Sequence, residues 1–422
     1  MESRPSTYAD PPLPASIAVG AGTALLVRGR SRVALRGGVL RAGNGPPHPL
    51  DATRLPPGDA FWGVVPLHGR GRATVWLEAR GGVREALGEL ELVDGVRAPA
   101  STPRRGSVAI AMATYDPPGE LFAAQVASLR AQTHADWGCV ILDDSSPAAV
   151  EGVEGAVAGD PRFSVHPLDV RLGPYGAFER ALALVPPEAE FVALCDQDDR
   201  WDPDKLAVLV AALRARPDAM LAYCDQRIVE ADGTVRSPTY WTDRDGRPGS
   251  LARLLVANTV SGSASLFRRE LLDLVLPFPQ PVGPDAHHDH WIALVARARG
   301  EVVFVERALQ DYVQHERNVV GHAPRALARS GAPWQERWRR SYEELLLPRR
   351  HLAEALIARC DARGLRGYAR GDRGALGLAR RLAAALAGRT RRARTLGHEE
   401  RMLRGALWRR YARVRGARKA KP

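Results

Sequence analysis

Three carboxylates stand within four residues of one loop, where Asp196, Asp198 and Asp199 follow the apolar run at residues 191–194. A continuous apolar run of this length predicts a buried strand. Carboxylates this close repel one another unless a cation lies among them, and Mg²⁺ and Mn²⁺ prefer such oxygen ligands. Because open α/β sheets bind ligands at the carboxyl ends of their strands, the loop predicts a metal–diphosphate site. The alternative is a polar loop in which the Asp-Pro pair at 202–203 begins the next helix.

The chain around this loop alternates strand-like and helical segments. Such alternation predicts a parallel sheet covered by helices on both faces. Three of the strands end in polar loops, whose side chains would then converge at one edge of the sheet. The predicted strands lie at residues 108–113, 138–142, 163–166 and 191–194, with helices at about 120–132, 148–158, 175–184 and 203–214.

Five ordered motifs together resemble glycosyltransferase family 2, whose members have the GT-A fold and use nucleotide-sugar donors. The carboxylate loop resembles the DxD region of the rhamnosyltransferase-like branch, and the two motifs that follow it strengthen that assignment. One departure is Arg171, since the branch often has Asn before Leu-Gly. The resemblance covers about 105–322. Its motifs are Thr114-Tyr115-Asp116-Pro117, Leu142-Asp143-Asp144-Ser145-Ser146, Asp196-Gln197-Asp198-Asp199-Arg200-Trp201, His287-His288-Asp289-His290-Trp291 and the segment from Tyr312 to Gly321.

The resemblance implies a role for each of these loops. It implies that a nucleotide is held by Thr114, Tyr115, Asp143 and Asp144, since a carboxylate can accept the N3–H of uracil or thymine. It further implies that Asp196 contacts the ribose or the metal. The remaining residues implied to act are Asp198 and His315 as ligands of Mg²⁺ or Mn²⁺, Arg317 at the diphosphate, Asp289 as general base, and Trp201, His288, His290 and Trp291 toward the acceptor.

Each role has a structural alternative. Asp143 and Asp144 are also typical loop-capping residues, and Asp199 is either a metal ligand or the cap of the next helix. Asp289 lies in the first turn of a predicted helix, where a carboxylate is favourable to the helix dipole with or without catalysis. His315 is either a metal ligand or an ordinary loop residue.

The two flanking regions differ from the middle in composition. Residues 1–104 contain short alternating runs separated by Gly-Gly and Asp-Gly turns, which predict a β-rich domain. We place the catalytic domain at 105–322 and a basic helical region at 323–422. From Arg325 onward there are 27 Lys/Arg against 8 Asp/Glu, so the net charge of +12 belongs to this last region.

The basic region contains an amphipathic pattern, with Leu403, Leu407 and Tyr411 at helical spacing among arginines. Such a helix suits an anionic membrane surface, and the alternative is a solvated helix packed on its own domain. Because the rest of the chain is mildly acidic, nucleic acid is not an expected partner.

Four scattered cysteines without a CxxC pair, and the absence of a signal-peptide or membrane-spanning pattern, favour a cytoplasmic protein at the inner face of the membrane.

These observations predict an α/β, Rossmann-like GT-A enzyme with a β-rich N-terminal domain. The expected reaction is metal-dependent, inverting transfer of a sugar to a glycan or lipid-linked acceptor, with rhamnose from a dTDP donor as the first hypothesis. The alternatives are a UDP-hexose or galactofuranose donor, or a non-catalytic protein that binds membrane or nucleic acid through its tail.

Overall fold

The structure is a computed structural model. It describes residues 7–315 and 347–360, except for residues 11, 21–22, 34, 36, 56–57, 80–81, 97–103, 146, 242–245, 250, 257 and 281–286. Arg317 and the amphipathic pattern at 403–411 lie outside the described residues. No helix in the described ranges is long and apolar enough to cross a membrane.

The N-terminal region forms two sheets, which agrees with the β-rich prediction. One sheet has the order β1-β3-β7-β6 and the other the order β2-β9-β8-β4-β5. Alternate side chains of Leu25, Val27, Val75 and Leu77 point inward and form a shared apolar core. The strands are β1 (Thr7–Ala9), β2 (Ser16–Val19), β3 (Ala24–Ser31), β4 (Val39–Ala42), β5 (His48–Pro49), β6 (Asp51–Leu55), β7 (Gly58–Pro66), β8 (Gly71–Ala79) and β9 (Val83–Asp94).

The middle of the chain forms one nine-stranded sheet with the order β12-β11-β10-β13-β17-β15-β18-β14, and β16 pairs with β15. Its strands are β10 (Val108–Thr114), β11 (Trp137–Asp143), β12 (Phe163–Pro167), β13 (Phe191–Cys195), β14 (Arg200–Trp201), β15 (Ala219–Glu230), β16 (Val235–Ser237), β17 (Ser265–Arg268) and β18 (Glu301–Gln314). The helices are α1 (Gly119–Arg130), α2 (Pro147–Val157), α3 (Gly173–Ala183), α4 (Lys205–Arg214), α5 (Leu251–Val256), α6 (Leu272–Val275), α7 (His288–Arg299) and α8 (Leu347–Cys360).

The sheet is mixed rather than wholly parallel. Strands β12, β11, β10 and β13 are parallel, as the alternation predicts, whereas β17 runs antiparallel to both of its neighbours. Helices cover both faces, because Ala109 and Ala111 of β10 pack toward α3 and α7 while Ile110 and Met112 pack toward α1 and α4. Burial on both faces explains why these strands are continuous apolar runs.

Helix α8 completes the layer that contains α7. It contacts α7, α5 and strand β3 of the N-terminal region. Arg359 donates from Nη1 to the carbonyl oxygens of Leu274 and Val275, both at 3.1 Å, and its guanidinium lies 5.2 Å from the ring centre of Trp291. A helix beyond residue 322 therefore packs onto the layer that covers the nine-stranded sheet.

Candidate active site

The polar loops meet at one edge of the sheet because their strands are adjacent and parallel. Thr114 at the end of β10 is aligned with Asp143 at the end of β11. Cys195 at the end of β13 is aligned with Met112, so the carboxylate loop that follows it begins beside Thr114. The predicted convergence of the three loops is confirmed by the strand register.

Asp143 and Asp144 make different contacts within this edge. Asp143 is fully buried, and its Oδ1 accepts hydrogen bonds from the hydroxyls of Thr114 (2.8 Å) and Ser145 (2.5 Å). Its Oδ2 has no hydrogen-bond partner among the described residues. Asp144 accepts hydrogen bonds from the backbone N–H groups of Leu172 (2.8 Å) and Gly173 (2.7 Å), at the start of α3. Asp144 thus has the loop-capping contacts of the structural alternative, while Asp143 keeps one acceptor oxygen.

Tyr115 is the exposed member of the nucleotide-binding set, with 42% of its surface accessible. Its backbone N–H donates to Oε1 of Gln197 at 2.7 Å, which joins the β10 loop to the carboxylate loop. The guanidinium of Arg171 lies over its ring, 3.9 Å from the centre. The sequence prediction missed Arg171 as a site residue, although the departure from the family pattern at this position was a signal for it.

The three aspartates of the carboxylate loop have different environments. Asp199 is fully buried and accepts hydrogen bonds from Nε2 of Gln310 (3.2 Å) and the backbone N–H of Val313 (3.4 Å). Asp198 is 14% exposed and its Oδ2 lies 2.8 Å from Nε2 of His315, which is 11% exposed. Only Asp198 therefore combines accessibility with a second predicted ligand at contact distance.

Neither Asp202 nor Asp199 caps helix α4, although the sequence left both possibilities open. That helix begins at Lys205 with Asp204 at its N-cap position. The carboxylate of Asp202 instead accepts hydrogen bonds from Arg227, with a 2.5 Å contact to Nη2. Asp199 faces β18 and does not cap the helix.

Asp196 lies near enough to Asp198 and Asp289 to be affected by their charges. Burial, reinforced by the charges of Asp198 and Asp289, raises the pKa of Asp196 to about 7. A hydrogen bond with the side chain of Ser263 acts in the opposite direction. A cation held beside Asp198 would favour the ionised form of Asp196.

Within the ranges that the structure describes, no three His, Cys, Asp or Glu side chains are arranged to hold a metal ion by themselves. The pair of Asp198 and His315 still fits a divalent ion, because Mg²⁺ is usually held by one or two carboxylates together with waters and substrate phosphates. This pair would hold the ion, with Asp196 beside it.

Asp289 lies in the first turn of α7 and faces the same edge. Its Oδ2 accepts a hydrogen bond from the backbone N–H of Gly262 at 3.2 Å, and its Oδ1 accepts one from the N–H of His290 at 2.5 Å. A Cβ atom on Gly262 would lie 3.1 Å from Nε2 of His288 and 3.2 Å from Cβ of Asp289, so the close approach favours glycine. Two backbone donors therefore fix the orientation of the Asp289 carboxylate at the sheet edge.

The acceptor contacts predicted for two tryptophans and one histidine are wrong, because these side chains belong to the interior. Trp291 is fully buried and donates from Nε1 to the carbonyl oxygen of Val275 at 2.9 Å. Trp201 is buried beneath the ammonium of Lys205, which lies 3.3 Å from its ring centre. The ring of His290 is buried and hydrogen-bonds the carbonyl oxygen of Leu254 at 2.7 Å.

His288 is partly buried and stacks on Phe178 with ring centres 3.8 Å apart. Burial, with a smaller effect from His287, lowers its pKa to about 3. His288 is therefore neutral at physiological pH and cannot supply a positive charge to the site.

The buried side chains below the carboxylate loop were also missed. Lys205, Gln310 and Ser263 are each at most 1% exposed and hydrogen-bonded to one another. Burial lowers the pKa of Lys205 to about 8 and raises the pKa of Asp199. Lys205 lies near the start of the helix predicted at about 203–214, and nothing in the sequence pattern indicated that its side chain is buried.

Known proteins match parts of this chain. Residues 109–276 match the model of glycosyl transferase family 2. The chain is 37% identical over 82 residues to the succinoglycan biosynthesis protein ExoW of Rhizobium meliloti, covering 19% of this chain and 26% of that protein. It is 30% identical over 129 residues to the uncharacterized protein y4gI of Sinorhizobium fredii, covering 30% of this chain and 14% of that protein. The matches thus span about a quarter and a seventh of these two relatives.

Solved structures resemble the chain at low identity. TarS of S. aureus, residues 1–349 in complex with UDP-GlcNAc, is 17% identical with a TM-score of 0.44, covering 68% of this chain and 74% of that one. The mannosyltransferase PcManGT of Pyrobaculum calidifontis, in complex with GDP-Man and Mn²⁺, is 20% identical with a TM-score of 0.40, covering 77% and 86%. Residues 109–276 thus match the glycosyl transferase family 2 model, and in the structure they form most of the mixed α/β sheet with its convergent loops.

Proposed function

We propose that the protein is an inverting glycosyltransferase that takes its sugar from a nucleotide-sugar donor and requires a divalent cation. The observation that carries the proposal is the arrangement of three elements at one sheet edge. These are the accessible pair of Asp198 and His315, the partly buried Asp196, and Asp289 close enough to raise the pKa of Asp196.

In this proposal the nucleotide binds at the ends of β10 and β11. Oδ2 of Asp143 is buried and has no hydrogen-bond partner among the described residues, so it remains an acceptor for a ligand donor such as the N3–H of uracil or thymine. Tyr115 and Arg171 border the same place, one with an aromatic face and the other with a fixed positive charge. Arg317, which the sequence resemblance implies as a diphosphate contact, lies outside the described residues.

Asp198 and His315 would hold the cation, which supplies positive charge to the leaving diphosphate when bound. Asp289 then accepts the proton of the acceptor hydroxyl as its oxygen attacks the anomeric carbon. Attack from the face opposite the leaving diphosphate inverts the configuration at that carbon. The backbone N–H groups of Gly262 and His290 orient the carboxylate of Asp289.

For the donor we propose dTDP-rhamnose, on the sequence resemblance to the rhamnosyltransferase-like branch. UDP-hexose and UDP-galactofuranose are the competing donors. The name of the succinoglycan biosynthesis protein ExoW supports a polysaccharide as acceptor, and a lipid-linked glycan is the alternative that we propose. The basic C-terminal region supports attachment to the anionic cytoplasmic face of the membrane.

The test is a thermal-shift and hydrolysis screen of dTDP-, UDP- and GDP-sugars with Mn²⁺ or Mg²⁺, since a ligand that binds only the folded state raises Tm. We expect a rise in Tm with a dTDP- or UDP-sugar that depends on the cation and is lost in Asp198→Asn. A matched control is Asp204→Asn, because Asp204 is an aspartate at the start of α4 that pairs with Arg307 at 2.6 Å outside the site. A protein that neither binds nor hydrolyses any donor in the screen would refute the proposed function.

A further inference from the structure

Asp198 and Asp199 are consecutive residues that both contact the carboxyl end of β18 or the residue that follows it. The buried carboxylate of Asp199 binds β18 at Gln310 and at Val313. His315 lies two residues beyond Val313, and it meets Asp198 at 2.8 Å. The contact between the two accessible side chains thus depends on how the buried carboxylate is seated against β18.

The amide of Gln310 has one defined orientation. Its Oε1 lies 2.5 Å from Nζ of Lys205, and an ammonium can only donate, so this atom must be the oxygen. Nε2 therefore faces the acceptors, which are Oδ2 of Asp199 (3.2 Å), Oγ of Ser263 (2.9 Å) and Oε1 of Gln226 (2.7 Å).

Lys205 is in turn fixed by its own contacts. Nζ also donates to the carbonyl oxygen of Ser263 at 2.5 Å and lies over the ring of Trp201. Lys205 and Gln310 are 105 positions apart in the sequence, and both are fully buried. They join the start of α4, the segment before β17, and β18 beneath the carboxylate loop.

We infer that Gln310 and Lys205 are positioning residues of the donor site: their hydrogen bonds seat Asp199 on β18 and thereby set the distance between Asp198 and His315. The inference rests on the proposed function, because it concerns the two side chains proposed to hold the cation. It also assigns different roles to the two adjacent aspartates, with Asp198 at the ligand and Asp199 in the support.

The test uses Gln310→Met, which keeps the length and neutrality of the side chain and removes both hydrogen-bonding groups. Because no charge changes, an altered cation affinity reports geometry rather than electrostatics. The matched control is Gln132→Met, another buried glutamine, whose amide binds backbone atoms of Ser128, Asp202 and Leu206.

Two quantities are measured on the full chain. The first is Mn²⁺ binding, followed by the loss of the free-ion electron paramagnetic resonance signal with UDP or dTDP present. The second is the Mn²⁺ concentration for half-maximal donor hydrolysis. Loss of a group that orients a metal ligand commonly costs about 10- to 100-fold in affinity. We expect Gln310→Met to raise both the dissociation constant of Mn²⁺ and the half-maximal Mn²⁺ concentration about tenfold. Saturating Mn²⁺ should restore most of kcat. Gln132→Met should leave both values unchanged.

Equal Mn²⁺ dependence in wild type and Gln310→Met would overturn the inference and leave the proposed function standing. Failure of the wild type to bind Mn²⁺ with either nucleotide would refute the metal requirement, and the inference with it. If Gln310→Met does not fold, Ser263→Ala replaces it, because this smaller change removes one acceptor of the Gln310 amide and one partner of Asp199. It should raise both values by a smaller factor than Gln310→Met, and no change would again overturn the inference.

Discussion

Replacement of Asp289 by asparagine separates catalysis from binding at this site. Asparagine keeps the shape of the side chain and can accept from one of the two backbone donors, Gly262 or His290. The other N–H then faces an amide nitrogen, and the lost hydrogen bond costs about 1 kcal/mol of stability. A positioned general base contributes about 10²- to 10⁴-fold to the rate, which is about 3 to 5 kcal/mol of activation free energy. The expected loss of kcat is therefore far larger than the expected loss of stability.

The same substitution has an effect on Asp196 with a definite sign. The charge of Asp289 is one of the causes that raise the pKa of Asp196 to about 7. Neutral asparagine removes that contribution, so Asp196 stays ionised to lower pH. Cation-dependent donor binding should consequently persist in Asp289→Asn at least as far into the acid range as in wild type.

The assay is the release of nucleoside diphosphate during transfer, measured across pH 5 to 9, with donor affinity from thermal shift. We expect kcat to fall at least about a hundredfold while donor affinity and Mn²⁺ dependence are retained. Glu120→Gln is a matched control, because Glu120 is also an acidic residue in the first turn of a twelve-residue helix and is exposed. A variant that keeps wild-type kcat, or that loses only donor affinity, would show that Asp289 is not the base.

Three further predictions follow from the contacts of the site and its flanks. Asp144→Ala should lower the free energy of unfolding by about 1 to 2 kcal/mol, because it leaves two N–H groups at the start of α3 unpaired; an unchanged urea midpoint would contradict this. Asp196→Asn should become more stable relative to wild type as pH rises from about 4 to 7. The wild type loses free energy of unfolding over this range, because the pKa of Asp196 is higher in the folded than in the unfolded chain. A stability difference that does not change with pH in urea titrations would contradict this. A chain ending just after Cys360 should keep donor binding and lose salt-sensitive co-sedimentation with anionic vesicles, whereas binding to duplex DNA without vesicle binding would favour nucleic acid as the partner.

The sequence was most informative where burial on both faces leaves a continuous apolar run. Strand β13 was predicted within one residue, because Phe191–Cys195 contains only apolar side chains. Strand β18 (Glu301–Gln314) is harder to predict, because Glu306 and Arg307 interrupt its apolar pattern. The direction of β17 could not be predicted, since an apolar run has the same pattern in a parallel and an antiparallel strand.

The candidate site could be located from sequence but not divided into accessible and buried parts. Neighbouring carboxylates carry no local signal that distinguishes Asp198 from Asp199, because the partners Gln310 and His315 come from a distant strand. Aromatic residues beside carboxylates suggested sugar contacts, yet Trp201 and Trp291 fill the core. For α7 the reason is visible in the structure, since six consecutive residues from Trp291 are buried and the helix has no polar face there.

The contact of α8 with α7 also has a consequence during synthesis. The last residue of β18 is Gln314, but the helix that covers Trp291 ends at Cys360, 46 residues later. At about 5 to 20 residues per second, a ribosome needs roughly 2 to 9 seconds to translate this interval. Over that time the nascent chain displays an apolar helix surface that chaperones can bind. Limited proteolysis of chains stalled at residue 340 and beyond residue 400 should show protection of α7 only in the longer set, and equal protection in both would indicate that the sheet layer closes without α8.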